Sequence, residues 1–147
     1  MQQKYKVQHV LITGGSMGGS SALAFAAMHP DRAHGVVALN GTANLVEYDK
    51  FQDAIAASFG GSKENVPDVY RQRSAELWPD RLAMPMAATV GGRDQLVPPD
   101  SVRRLFDKLK RQGRPVHLID RPEGGHATDH ADTMAAMDFV VKAVRRQ

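Results

Sequence analysis

Three short stretches of this 147-residue chain hold residue types that do chemistry together. The first is Gly14-Gly15-Ser16-Met17-Gly18, a serine between glycines at the G-x-S-x-G spacing. The second, Gly91-Gly92-Arg93-Asp94, ends in an aspartate, and the third, Glu123-Gly124-Gly125-His126, ends in a histidine. A serine hydroxyl is a weak nucleophile until an imidazole takes its proton, and the imidazole works best when a carboxylate orients it. The candidates are therefore Ser16, Asp94 and His126, in that chain order.

The glycine-rich turn admits other readings. A phosphate cradle of the G-x-x-x-x-G-K-[ST] type needs a lysine after the glycines, and the next lysine downstream is Lys50. A dinucleotide-binding turn, like that of short-chain dehydrogenases, is closer in form because a helix N-terminus can take a pyrophosphate. However, Ser20 stands where that pattern has its last glycine. The Tyr-x-x-x-Lys pair is also missing, since His9, Gln52 and Ser74 lie four residues after the three tyrosines. A nucleophile on a sharp strand-to-helix turn asks for glycines two positions either side of the serine, and it places the backbone N–H of Met17 where an oxyanion would form. Each partner has a plainer reading as well. Asp94 alone could cap a turn, Asp120 is the second-choice acid, and His130 and His117 are the second-choice bases. Ser20 and Ser21 fall inside the helix.

The elements that must position these residues follow from periodicity and punctuation. Val7–Thr13 reads as a buried strand and Met17–His29 as a helix stopped by Pro30, with Leu23, Ala26 and Ala27 on one face. His34–Asn40 is a second strand. Helices are predicted near Glu47–Ser58 and Pro67–Leu77, separated by Gly60-Gly61-Ser62. Met84–Gly92 is a third strand. Pro99–Gln112 is a helix with Val102, Leu105, Phe106 and Leu109 on its apolar face and Gly113 at its C-terminal cap. Arg114–Asp120 is a fourth strand, and Asp129–Arg145 closes the chain as a helix with Met134, Met137, Val141 and Val144 on one side. This alternation predicts an α/β fold, an open parallel sheet of about four strands with helices on both faces. Residues 1–147 read as a single domain with a helical insertion at about 41–83. All three candidates then follow the C-terminal ends of parallel strands, the edge where open α/β sheets carry their sites.

Composition narrows the classes. With 42% hydrophobic and 24% charged residues the chain is globular in character. The absence of cysteine excludes disulfides and thiolate metal sites. No apolar run approaches the roughly 20 residues of a membrane span, and the first ten residues lack the apolar core of a signal peptide; a cytoplasmic location is the expectation. Net charge is +3, and the basic cluster Arg103–Arg114 reads as a solvated helix face and not a nucleic-acid footprint. No metal or organic cofactor is expected.

"GGSMGG", "GGRDQLVPP" and "EGGHA" together resemble the motifs of the α/β-hydrolase superfamily, most closely the serine-hydrolase domains of prolyl-oligopeptidase-type peptidases and related esterases. The resemblance covers most of the chain. It implies Ser16 as nucleophile, His126 as general base and then acid, and Asp94 as its orienter, cleaving a carboxylic ester or peptide bond. Met17 N–H would serve the oxyanion. Gly15 and Tyr70 are the candidate substrate contacts, and Trp78 is read as core packing. Such enzymes have further strands before the serine and a loop giving a second oxyanion donor. The expectation is thus a C-terminal half of such a hydrolase, either a truncated product or a compact form in which the exposed edge strand Val7–Thr13 pairs in a homodimer. A catalytically weak fragment acting as an interaction module is the alternative, followed by a nucleotide-binding oxidoreductase.

Overall fold

The computed structural model describes residues 7–146. Its center is a four-stranded parallel sheet: β1 (Leu11–Gly15), β2 (Gly35–Leu39), β3 (Met86–Gly91) and β4 (Val116–Arg121). The strands lie side by side in chain order. Around them run α1 (Met17–Met28), α2 (Gln52–Phe59), α3 (Pro67–Gln72), α4 (Asp100–Arg111) and α5 (His130–Val144).

Strand order explains the layering. Each new strand adds on the same side of the last, so right-handed crossovers put the connections on one face of the sheet. The main core lies there: Leu23, Ala26 and Ala27 of α1 and Val102, Leu105, Phe106 and Leu109 of α4 pack on Val36, Ala38, Met86, Ala88 and Val90. The alternate strand residues Val37 and Ala87 face the other way and are covered by Ala136, Val140 and Val144 of α5. Every residue of β3 is buried, as its apolar run demands of a central parallel strand.

The expected elements are present, with local corrections. β1 starts at Leu11 and not Val7, because its neighbor β2 begins only at Gly35 and the ladder opens at Leu11↔Gly35. It also runs on through Gly14 and Gly15, which pair with Ala38 and Leu39 through backbone alone. The helix expected from Glu47 begins at Gln52. Before it, the Asn44 carboxamide oxygen accepts from the N–H groups of Val46 and Glu47, at 3.1 Å each, and side-chain bonds of this kind compete with helix. The helix expected to run to Leu77 stops at Gln72. There Ser74 turns extended, and its hydroxyl donates to Tyr70 O (2.8 Å) while accepting from Leu45 N (2.9 Å). Short 3₁₀ turns follow at Ala75–Leu77 and Pro79–Arg81. On α5 the buried stripe is Ala136, Val140 and Val144, and Met134 is exposed. Small residues seat that helix close to the sheet, where a Cβ on Gly35 would come within 2.6 Å of Val140 and Leu11.

α4 ends as expected. Gly113 is left-handed (φ 71°), its N–H bonds Lys110 O, and Arg114 N–H bonds Leu109 O, each at 3.0 Å, which together make a Schellman cap. The basic cluster on this helix is partly occupied by acids: Arg103 forks onto Asp120 (2.8 and 2.9 Å), and Arg104 reaches Glu47 and Glu76.

Three carboxyl groups tie elements together and set an acid limit. Burial pushes the Glu76 carboxyl up, but hydrogen bonds from Arg104 and Asn44 overcome this and hold it below its ordinary 4.5. Arg103 lowers Asp120, and Arg121 lowers Asp132, from the ordinary 3.8. A group lowered on folding adds stability in full above its unfolded value and loses it as pH falls through the folded one. The thermal midpoint is therefore expected to be insensitive to these groups from neutral pH to about 4.5 and to fall progressively below that. Calorimetric scans from pH 7 to 2.5 check this, and removing Arg121 should shrink the acid-side loss.

Candidate active site

One residue separates β1 from α1, and it is Ser16. Its backbone sits at φ 54°, ψ −118°, a conformation that costs a side-chain-bearing residue about 1–3 kcal/mol. The surroundings impose it. Ser16 N–H donates to Leu39 O at 2.8 Å, and Ser16 O accepts from Ser20 N at 3.1 Å. The turn is tight because the backbones touch: a Cβ on Gly14 would overlap the Gly18 carbonyl, and one on Gly19 would come within 2.8 Å of Leu39 O. Gly18, by contrast, has open space where a Cβ would stand. The steric demand expected two residues after the serine thus falls on Gly19 instead.

Asp94 and His126 complete a hydrogen-bonded chain with this serine. Ser16 Oγ lies 2.8 Å from His126 Nε2, and His126 Nδ1 lies 2.7 Å from Asp94 Oδ2. The Asp94 side chain is 1% exposed, so its charge must be matched by hydrogen bonds. Its other oxygen takes the N–H groups of Leu96 and Val97, both at 2.9 Å. These fix the carboxylate, which in turn fixes the ring.

The loops after β3 and β4 are locked to each other. Gly92 N–H bonds Arg121 O and Arg93 N–H bonds Gly124 O, each at 2.8 Å. A Cβ on Gly91 would overlap the carbonyl oxygens of Gly124 and Gly125, and one on Gly92 would overlap Pro122 O. From the β2 side, Asn40 (φ 48°) accepts from Thr89 Oγ1 at 3.1 Å and from Thr128, and its amide reaches Gly125 O at 3.4 Å. Past the histidine, Asp129 caps α5 by accepting from Asp132 N at 2.7 Å, and Asp132 pairs with Arg121 at the end of β4. Asn40, Thr89 and Thr128 were not singled out in the sequence. The one available signal was an asparagine before Gly41 at the end of a predicted strand.

Beside Ser16 opens a cleft of about 600 Å³, lined among others by Met17, Phe25, Tyr48, Phe59, Arg73 and Val97. Met17 is the first residue of α1, where backbone N–H groups lack helical partners and can serve an anion. Tyr48 donates to Leu96 O at 2.9 Å. Burial raises its hydroxyl's pKa above the ordinary value, and the Asp49 and Asp94 charges add to this. The other candidates fall elsewhere. Tyr70 is not brought to the cleft: it is buried, with its hydroxyl on Gly61 O (3.2 Å) and its ring against Phe59. Gly15 ends β1, exposed, outside the cleft lining. Trp78 packs against the main core and donates to Arg71 O at 2.8 Å. Among the described residues no three His, Asp or Glu side chains gather as a metal site would require.

The fold is shared with solved structures. A puromycin hydrolase superposes with a TM-score of 0.73 at 21% identity over 97% of this chain and 22% of its own. A Pyrococcus horikoshii acylaminoacyl peptidase gives 0.71 at 20% identity over 93% and 24%. A Paleococcus ferrophilus monoacylglycerol lipase gives 0.63 at 20% identity over 98% and 71%. The chain thus spans less than a quarter of the length of the first two. No curated protein matches it in sequence. Sheet, helices and neighbors define an α/β-hydrolase fold. The chain belongs to the prolyl oligopeptidase family, whose family model matches residues 2–144. It is thereby placed among serine hydrolases, and the oxidoreductase reading of the glycine-rich turn is set aside.

Proposed function

We propose that Ser16, His126 and Asp94 are the catalytic triad of a serine hydrolase that cleaves a carboxylic ester or peptide bond. The observation that carries this reading is the unbroken chain Ser16 Oγ–His126 Nε2–His126 Nδ1–Asp94 Oδ2, with links of 2.8 and 2.7 Å. His126 Nε2 takes the hydroxyl proton as Ser16 Oγ attacks the carbonyl carbon, and the N–H of Met17 faces the developing oxyanion. The imidazolium, steadied by Asp94, then protonates the leaving alcohol or amine. Water, deprotonated by the same ring, releases the acid from the acyl-serine and restores the hydroxyl. These steps use groups of the chain and water.

Esters and amides pass through the same intermediates, so a triad alone does not choose between them. The test is covalent labeling with a fluorophosphonate, alongside turnover of a matched 4-nitrophenyl ester and 4-nitroanilide. The expected result is stoichiometric labeling that disappears in Ser16→Ala, with ester turnover lost in parallel. Labeling that survives in that variant would overturn the assignment of Ser16. A wild-type chain that neither labels nor turns over would favor an interaction module.

A further inference from the structure

Among the described residues, Arg73 contributes the only charged side chain to the lining of the cleft that holds Ser16, and no carboxylate lines it. The other walls are largely apolar, with Phe25, Leu45, Ile55, Phe59 and Val97 among them. The Arg73 guanidinium lies over the Phe59 ring, 4.3 Å from its centroid. Its side chain makes no hydrogen bond or ion pair with any described residue, whereas Arg93, Arg103, Arg104 and Arg121 each meet a carboxylate. An arginine whose face is taken up by an aromatic ring still presents its N–H groups at the edge, a planar fork that matches a carboxylate.

Resting on the hydrolase reading above, we propose that this cleft selects acyl groups that carry a carboxylate at the end of an apolar spacer, and that Arg73 binds that carboxylate. The spacer lies along the apolar walls and the acid end pairs with Arg73. The scissile carbonyl then stands at Ser16. The acyl group could be a dicarboxylic half-ester or an acidic amino-acid residue, since both offer the same terminal group.

The test compares kcat/KM for the 4-nitrophenyl monoester of adipic acid with that for 4-nitrophenyl hexanoate. A second arm compares N-acetyl-glutamyl with N-acetyl-glutaminyl 4-nitroanilide, so that the arms separate the two acyl sources. Wild type is expected to favor the acidic member of at least one pair by roughly tenfold or more, the scale of a charge-assisted hydrogen bond. Arg73→Gln should cut that ratio about tenfold, and Arg73→Glu should invert it. Equal rates within both wild-type pairs, or an unchanged ratio in Arg73→Gln, would overturn the proposal and leave Arg73 as a packing partner of Phe59. Loss of all turnover together with all fluorophosphonate labeling would instead refute the hydrolase reading. Binding separates the two cases, because calorimetric titration of the Ser16→Ala chain needs no catalysis. Monomethyl adipate should bind it at least tenfold more tightly than dimethyl adipate, and Ser16→Ala/Arg73→Gln should lose the difference. Equal binding of the two esters overturns the carboxylate site whatever the turnover shows.

Discussion

Asp94→Asn is expected to lower turnover about 10⁴-fold while the fold survives. The two roles of this side chain separate in the amide. Its oxygen can still accept from Leu96 N and Val97 N, the bonds that anchor the loop. The amide nitrogen then faces His126 Nδ1 and donates where the carboxylate accepted. The ring is forced to carry its proton on Nε2, the nitrogen 2.8 Å from Ser16 Oγ, and can no longer take the hydroxyl proton. Steady-state turnover and a thermal scan of the same sample check this. A loss smaller than tenfold with an unchanged melting curve would remove Asp94 from the machinery. Asp94→Ala should behave differently, because it also strips the acceptor from the buried Val97 N–H and the Leu96 N–H.

Gly91→Val is expected to abolish labeling through displacement. No reactive group is removed, yet a Cβ at this position would overlap the Gly124 and Gly125 carbonyls just before His126. Overlap with backbone cannot be relieved by a rotamer change, so the histidine loop must move or the end of β3 must distort. Overpacking of this kind costs about 1–3 kcal/mol or more, and a shift of about 1 Å in a reacting group can cost 10²-fold in rate. The sheet should persist by circular dichroism while fluorophosphonate labeling falls at least a hundredfold. Gly18→Ala is the control, since a Cβ there enters open space. Wild-type labeling in Gly91→Val would show that the loop lock does not position His126.

The strand–helix alternation and the three candidates were legible because each rests on a short-range signal. Apolar runs end in glycines, a helix ends in Gly113, and a serine stands in G-x-S-x-G. What escaped the sequence depends on side-chain bonds to the backbone, some of them from residues far along the chain. The stretch 47–51 has helix-forming residues, but Asn44 claims its first amides and Lys63 takes the carbonyls of Val46 and Tyr48. Ser74 reads as a helical residue until its hydroxyl is seen serving Leu45 and Val46, some 28 positions earlier. Tyr70, in the helical insertion, is a candidate substrate contact on sequence grounds. It is instead the hub of the insertion's own packing, and Tyr48, Phe59 and Arg73 face the cleft. Gly18 and Gly19 are alike on paper, and only the path of β2 past α1 decides which of them must lack a side chain.

Ser16 and His126 stand 110 positions apart, and the strands of the sheet lie side by side in the order in which a ribosome delivers them. Ser16 therefore emerges early, Asp94 just after the third strand and His126 only after the fourth. Until the loop after β4 closes against Gly91 and Asn40, Ser16 Oγ lacks the His126 Nε2 partner it meets in the folded chain. On the triad reading proposed above, a partly emerged chain holds no complete site, because the proton acceptor of Ser16 is the last of the three groups to be delivered.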